Sequence, residues 1–134
     1  MTKTITLPEN HSRVLSSRIQ VIERCIDDIE RMFTEEKNSH SVILENDIPQ
    51  YEVNSGLLVI KQAKELIAEI FEKYQLKASS MSKRNSLNAA KATMWEILCD
   101  ANSKGLRGYG IFPAEYSIEF DSDINKLQEL IEKI

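Results

Sequence analysis

The sequence predicts a mainly α-helical protein: an antiparallel four-helix bundle with two long helices, one medium and one short, in a single domain spanning residues 1–134. Three observations predict it. Two stretches repeat apolar residues at alternating spacings of four and three, which turns one face of a helix inward. The 134 residues include only four Gly and three Pro, too few for the frequent turns of an all-β sandwich. A chain of this length buries roughly two-thirds of its unfolded surface, so its core needs no metal or disulfide staple.

The first long helix opens on Thr6-Leu7-Pro8-Glu9, which has the form of a capping box, with Pro8 harmless in a first turn. Leu15, Ile19, Ile22, Ile26, Ile29 and Phe33 form its seam, and Val14, Val21, Cys25 and Met32 flank them. That stripe is wider than a two-stranded coiled coil uses, so the helix is expected to meet two or more neighbours. Arg24–Asp28 and Asp27–Arg31 stand at i,i+4 on the opposite face. Lys37-Asn38-Ser39-His40 closes the helix.

Asp47-Ile48-Pro49-Gln50 offers a second capping box, and the next helix is predicted to reach about Tyr74. Its seam is Gly56, Ile60, Ala63, Ile67, Ile70 and Tyr74, with Val59, Leu66 and Phe71 alongside and Glu69–Lys73 as a supporting pair. After a polar, serine-rich connection over residues 77–86, a third helix begins at about Met81 or Ser86 and reaches Ser103. It turns Leu87, Ala90, Met94, Ile97, Leu98 and Ala101 inward, leaves Trp95 off the seam, and stops at Gly105 in a left-handed conformation. The fourth helix starts near Asp121 or Ser122 with Ile124, Leu127, Leu130, Ile131 and Ile134 facing in. Residues 2–7, 41–45 and 116–120 break the helical pattern with alternating or β-branched runs, and two of them pairing at one end of the bundle stays an open alternative.

The formal net charge is −4, which disfavours nucleic acid as a partner because that affinity depends on neutralising phosphates. The charge is segregated. Residues 1–72 carry eight basic and thirteen acidic side chains, residues 73–107 seven and two, and residues 108–134 two and six. Complementary packing of the basic middle against acidic neighbours is the simpler reading; a local anion-binding face is the other. Lys77, Lys83, Arg84, Lys104 and Arg107 fall near opposite ends of the third helix, roughly 25–30 Å apart, so they make no single patch with Trp95 and Tyr109. No apolar run is long enough for a membrane span. Met1-Thr2-Lys3-Thr4 does not have the form of a signal peptide, so a cytoplasmic location is expected. Cys25 and Cys99 lie on apolar helix sides without CxxC spacing, as expected of two buried, reduced thiols.

Catalytic constellations are not visible. Neither His11 nor His40 follows a Glu by three residues, so a di-metal carboxylate site is disfavoured, and Glu23, Asp27 and Glu30 are expected on a solvated face. Neither cysteine has a histidine partner in evident reach. No catalytic residue, metal ligand or cofactor is assigned, and a role other than catalysis is favoured.

One segment stands apart. Three of the four glycines fall within Lys104-Gly105-Leu106-Arg107-Gly108-Tyr109-Gly110-Ile111-Phe112-Pro113. Glycine amides can converge on an anion, and Lys and Arg add charge; yet the pattern matches neither the Walker nor the dinucleotide fingerprint. A helix stop, with Tyr109, Ile111 and Phe112 tucked against the bundle, is the simpler reading. Residues 106–120 nevertheless form a long connection, and such loops usually have a function. Lys104, Arg107, Gly108, Tyr109, Gly110 and Phe112 are therefore the candidate ligand- or partner-binding residues. The leading expectation is a non-catalytic protein-binding or regulatory module that engages a protein partner or a second copy. The alternative is a small-ligand or nucleotide-binding protein or enzyme using loop 104–113.

Overall fold

Each helix in the structure begins or ends where its local chemistry permits. The computed structural model describes residues 3–35 and 39–134. Its four helices among these residues are α1 (Glu9–Thr34), α2 (Gln50–Lys73), α3 (Lys83–Cys99) and α4 (Ser117–Glu132). Short 3₁₀ turns over Gly105–Tyr109 and Ala114–Tyr116 connect α3 to α4. The described residues contain no strand. The chain divides into two units, Met1–Ser79 and Ser80–Ile134, each built on one pair of helices.

Neither predicted capping box forms. Pro8 and Pro49 themselves hold the N-cap positions of α1 and α2, with no side-chain cap, and their carbonyls accept from the amides of Ser12 (3.0 Å) and Val53 (3.1 Å). The reason is the same in both cases. A cap at Thr6 or Asp47 would make Leu7 or Ile48 the first helical residue, and a residue preceding proline is pushed out of the α region. The helix must wait for the proline.

In the first unit, the α2 seam Gly56, Ile60, Ala63, Ile67, Ile70 and Tyr74 is half-buried throughout. It lies against α1. Phe33 near the end of α1 lies on Gly56 near the start of α2, where a Cβ would stand 2.7 Å from the ring. Further along, Lys64 bridges Glu30 and Asp27 (3.6 Å to Asp27). Ser16 donates to the Lys77 carbonyl at 3.1 Å, and Ser79 donates to Gln20 at 3.4 Å. The cluster of Glu23, Asp27 and Glu30 thus borders α2 rather than standing on a free face. Arg31 pairs with Asp28 at i,i+3 (3.0 Å), a shorter reach than the predicted i,i+4 partner, and Lys73 lies over the Tyr74 ring rather than toward Glu69.

A left-handed turn ends α2. Gln75 adopts φ 52, Leu76 donates back to Phe71 (2.9 Å) and Gln75 to Glu72 (3.3 Å), the Schellman arrangement that usually recruits glycine. The chain before α1 returns to this point through Ile5, whose amide donates to the Lys73 carbonyl at 2.7 Å. Residues 3–7 and 42–47 therefore run without strand pairing. Thr2, Lys37 and Asn38, used in the sequence reading, lie outside the described residues.

The seam of α1 is only partly covered. Ile19 is buried, Leu15, Ile26 and Phe33 are half-buried, and Ile22 and Ile29 are exposed. Cys25 is also exposed, against the expectation of a buried thiol, and Cys99 is half-buried; both are free.

The second unit corrects the sequence reading more. Ser82 caps α3 by accepting from the Asn85 amide at 3.2 Å. The inward series of α3 is Leu87, Lys91, Met94 and Leu98, while Ala90 and Ile97 face solvent. α3 ends at Cys99, four residues short of the prediction. Gly105 is needed for room, not for handedness: a Cβ there would lie 2.2 Å from the Asp100 carbonyl oxygen, and Gly110 is the glycine with positive φ (144). α4 starts at Ser117, four residues before Asp121. The alternation of residues 116–120 is the opening turn of a helix, with Ile118 outward and Phe120 inward. Along α4 the half-buried positions are Ser117, Phe120, Asp121, Ile124, Gln128 and Ile131, and Leu127, Leu130 and the following Ile134 are exposed.

Candidate functional site

The glycine-rich segment is fastened to α4 by polar bonds. Ser103 is buried, its amide and hydroxyl both donating to the Asp121 carboxylate at 2.7 and 2.6 Å. Those two bonds, with a smaller contribution from the nearby Arg107 charge, hold the Asp121 carboxyl below its ordinary pKa. Phe112 stacks at a tilt on Phe120, ring centroids 4.9 Å apart.

Four amides of the segment are already committed. Gly105 donates to the Asn102 side chain (2.7 Å), Leu106 to the Asn102 carbonyl (3.0 Å), Arg107 to Lys104 (3.4 Å) and Gly110 to Arg107 (3.2 Å). A ligand at this loop would find the Gly105 and Gly110 amides already used for the turns and the side chains of Lys104 and Arg107 exposed. Tyr109 and Ile111 are not tucked in; they are 92% and 100% exposed. Of the six candidate residues, Phe112 is anchored in its unit, and Lys104, Arg107, Gly108, Tyr109 and Gly110 lie on the surface.

Two surface features of the first unit escaped the sequence reading. One is the breadth of exposed apolar side chains on α1 and α2: Val14, Val21, Ile22, Ile29 and Met32, with Leu58, Val59 and Leu66. Their surplus width was visible, but which of them would stay uncovered was not. The other is a cleft of about 490 Å³ where α1 ends and α2 begins, lined by Met32, Phe33, Leu44, Ile48 and Val53 and edged by Glu35, Glu45 and Asp47. The run 41–45, for which strand pairing is an open alternative from sequence, forms no strand and supplies Leu44 and Glu45 to this cleft. A smaller hollow of about 280 Å³ lies between Glu23, Ile26, Asp27, Lys64 and Ile67. There the Lys64 ammonium is held above its ordinary pKa, first by its hydrogen bond to Glu30 and then by the neighbouring carboxylate charges.

Among the described residues, no group of three or more His, Cys, Asp or Glu side chains is placed to hold a metal ion. Among the same residues, no helix is long and apolar enough to cross a membrane. Comparison with protein families, with curated proteins and with solved structures gave no match.

Proposed function

We propose that the protein is a non-catalytic protein-binding module that acts by pairing the α1–α2 face with a second copy of itself. The observation that carries this reading is the uncovered apolar surface. Ile19 and Val53 are the buried apolar residues among those described. Full burial contributes about 1.5–3 kcal/mol per side chain, whereas ordering each residue's backbone costs about 1–2 kcal/mol. Two compact bodies with the lengths of these units, standing apart, would together expose about 8,600 Å²; the chain exposes 11488 Å². A large area is therefore still available for a partner to cover, and the exposed apolar side chains of α1 and α2 are part of it.

The arrangement of that area supports one continuous face. In this proposal α1 and α2 form an antiparallel hairpin, as their reversed order of contacts favours. Val14, Val21 and Met32 stand roughly a quarter to a third of a turn from the α1 seam, next to its exposed member Ile29, and Val59 and Leu66 stand a somewhat smaller rotation, in the same sense, from the α2 seam. In an antiparallel pair, rotations in the same sense bring both sets to the same side. Ile22 fills the border. These seven side chains expose roughly 600–700 Å², close to the ~800 Å² per partner of a standard interface. It also exceeds the scattered apolar exposure usual on a monomer. Two such hairpins would complete a four-helix bundle between copies. The two free thiols suit a cytoplasmic setting.

Sedimentation tests the proposal, with Cys25 as an internal reporter because it lies within the α1 stripe. The expected result is a concentration-dependent dimer with slowed alkylation of Cys25. Combining Val21→Asp with Leu66→Asp should raise the dimer dissociation constant at least about 100-fold and speed that alkylation. A strict monomer at about 100 µM, with an unchanged melting temperature on dilution and freely alkylated Cys25, overturns the reading.

A further inference from the structure

We infer that the cleft between the end of α1 and the start of α2 is a second binding site, built for a segment of another protein in which bulky apolar side chains are flanked by Lys or Arg. The inference does not rest on self-association: it concerns the end of the helix pair, and Met32 is the one side chain it shares with the proposed dimer face.

The cleft has two chemically distinct parts. Its floor is apolar: Val53 is buried, Phe33 half-buried, and Met32, Leu44 and Ile48 line the remaining wall. Its volume, about 490 Å³, falls within the range of sites that enclose a ligand of several side chains' size. Its edge carries Glu35, Glu45 and Asp47, and among the described residues that line it none is Lys, Arg or His; Arg31, paired with Asp28, lines the adjoining hollow beside Met32, Glu35 and Leu44. The lining includes Asn46 and Gln50 as neutral polar groups, and Gln50 is tied to Asn54 at 2.9 Å.

The helix ends do not change the sign of this field. The C-terminus of α1 contributes roughly −0.5 charge and the N-terminus of α2 roughly +0.5, so they offset one another. Three carboxylates against the one neighbouring guanidinium of Arg31 leave a net acidic edge around an apolar floor. A purely apolar segment would leave those carboxylates facing a low-dielectric surface, and an acidic one would be repelled. A cationic amphipathic segment satisfies both parts at once: its apolar side chains cover the floor, and its Lys or Arg heads stay at the wet edge. A small inorganic cation would use the edge and leave the floor uncovered.

The test is fluorescence anisotropy with a short labelled peptide of Leu and Lys in helical alternation, at physiological ionic strength. The expected result is saturable binding. It should fall at least about tenfold when Glu45→Lys is combined with Asp47→Lys, and by a similar factor for Ile48→Asp. Reversing two exposed charges elsewhere on α2, with Glu69→Lys and Glu72→Lys together, should change it less than about twofold. A peptide with Ser in place of Leu should lose the binding. Circular dichroism on each variant distinguishes a lost site from a lost fold. Equal weakening by both charge reversals would show general attraction to an acidic chain and overturn the proposal, as would equal binding of the Ser peptide or no saturable binding at all.

Discussion

The two helix pairs of this protein hold together by different means. In the first unit, α1 and α2 meet along an apolar seam, with Phe33 lying on Gly56 and the α2 seam half-buried along its whole length. In the second, polar side chains share the half-buried positions with apolar ones: Lys91 beside Leu87, Met94 and Leu98 on α3, and Asp121 and Gln128 beside Phe120, Ile124 and Ile131 on α4. Ser103 binds Asp121, Gln128 donates to the Cys99 sulfur at 3.9 Å, and Lys91 donates to the Glu132 carbonyl at 2.9 Å. Apolar contact is non-directional and proportional to area, so it unites helices without dictating where coverage stops. That permits the surplus face on α1 and α2. Polar contacts fix a register and saturate once made. The proposed binding surface therefore belongs with the first unit, and the second has more polar groups to fix its register.

Predictions can break this contrast, and the largest concerns the first unit. Replacing Ile19, 6% exposed, by Ala should cost about 2–5 kcal/mol in chemical denaturation, whereas Leu130→Ala, at a site 61% exposed, should cost little. Equal losses would mean that burial does not rank these positions. Next in size is Gly105→Ala. Its Cβ must displace the Asp100 carbonyl, so about 1–3 kcal/mol should be lost, with the damage confined to amides near 100–110 in hydrogen exchange. Global loss of protection would make the turn more than a local fit.

The smallest effect sharpens the polar half of the contrast. The Asp121 carboxyl has a folded pKa below its ordinary value of 3.8, so its contribution is complete above that value. It fades as pH falls through the lower folded pKa. Asp121→Asn should therefore be less stable than the native chain at pH 6, the gap closing as pH drops below about 4. Ser103→Ala should narrow the same gap, because it removes one of the bonds that depress the carboxyl. A gap independent of pH would assign the link to shape rather than charge.

Much of the helical content was legible because periodicity is local. The seams of α1 and α2 can be counted directly, and Gly56 to Tyr74 appear half-buried in the structure as spaced. Helix starts were less legible, although the deciding rule is also local: the residue before Pro8 and the residue before Pro49 cannot be helical, which outweighs the apparent capping pairs. The 116–120 run shows the limit of short patterns. Five alternating residues fit a strand, yet they open α4 with Phe120 turned toward Phe112.

The candidate loop followed the same division. Its glycines, Arg107 and Tyr109 were visible as a cluster, but amide direction is not written in residue type. Donation from Gly105, Leu106, Arg107 and Gly110 to neighbouring acceptors determines what the backbone can still bind. Likewise, the acids Glu35, Glu45 and Asp47 are scattered along the chain and become one edge where α1 and α2 meet.

By itself, then, the sequence determined that the chain is helical, where its two long apolar seams run, and that α1 carries more apolar width than one neighbour uses. Those properties follow from backbone periodicity and side-chain polarity, which act over a few residues. Only the tertiary structure decided that Lys91 and Gln128 take inward positions, that Gly105 answers a steric demand, and which apolar side chains remain in water. These depend on which surfaces meet across long stretches of chain, and burial is a property of that meeting rather than of any residue alone.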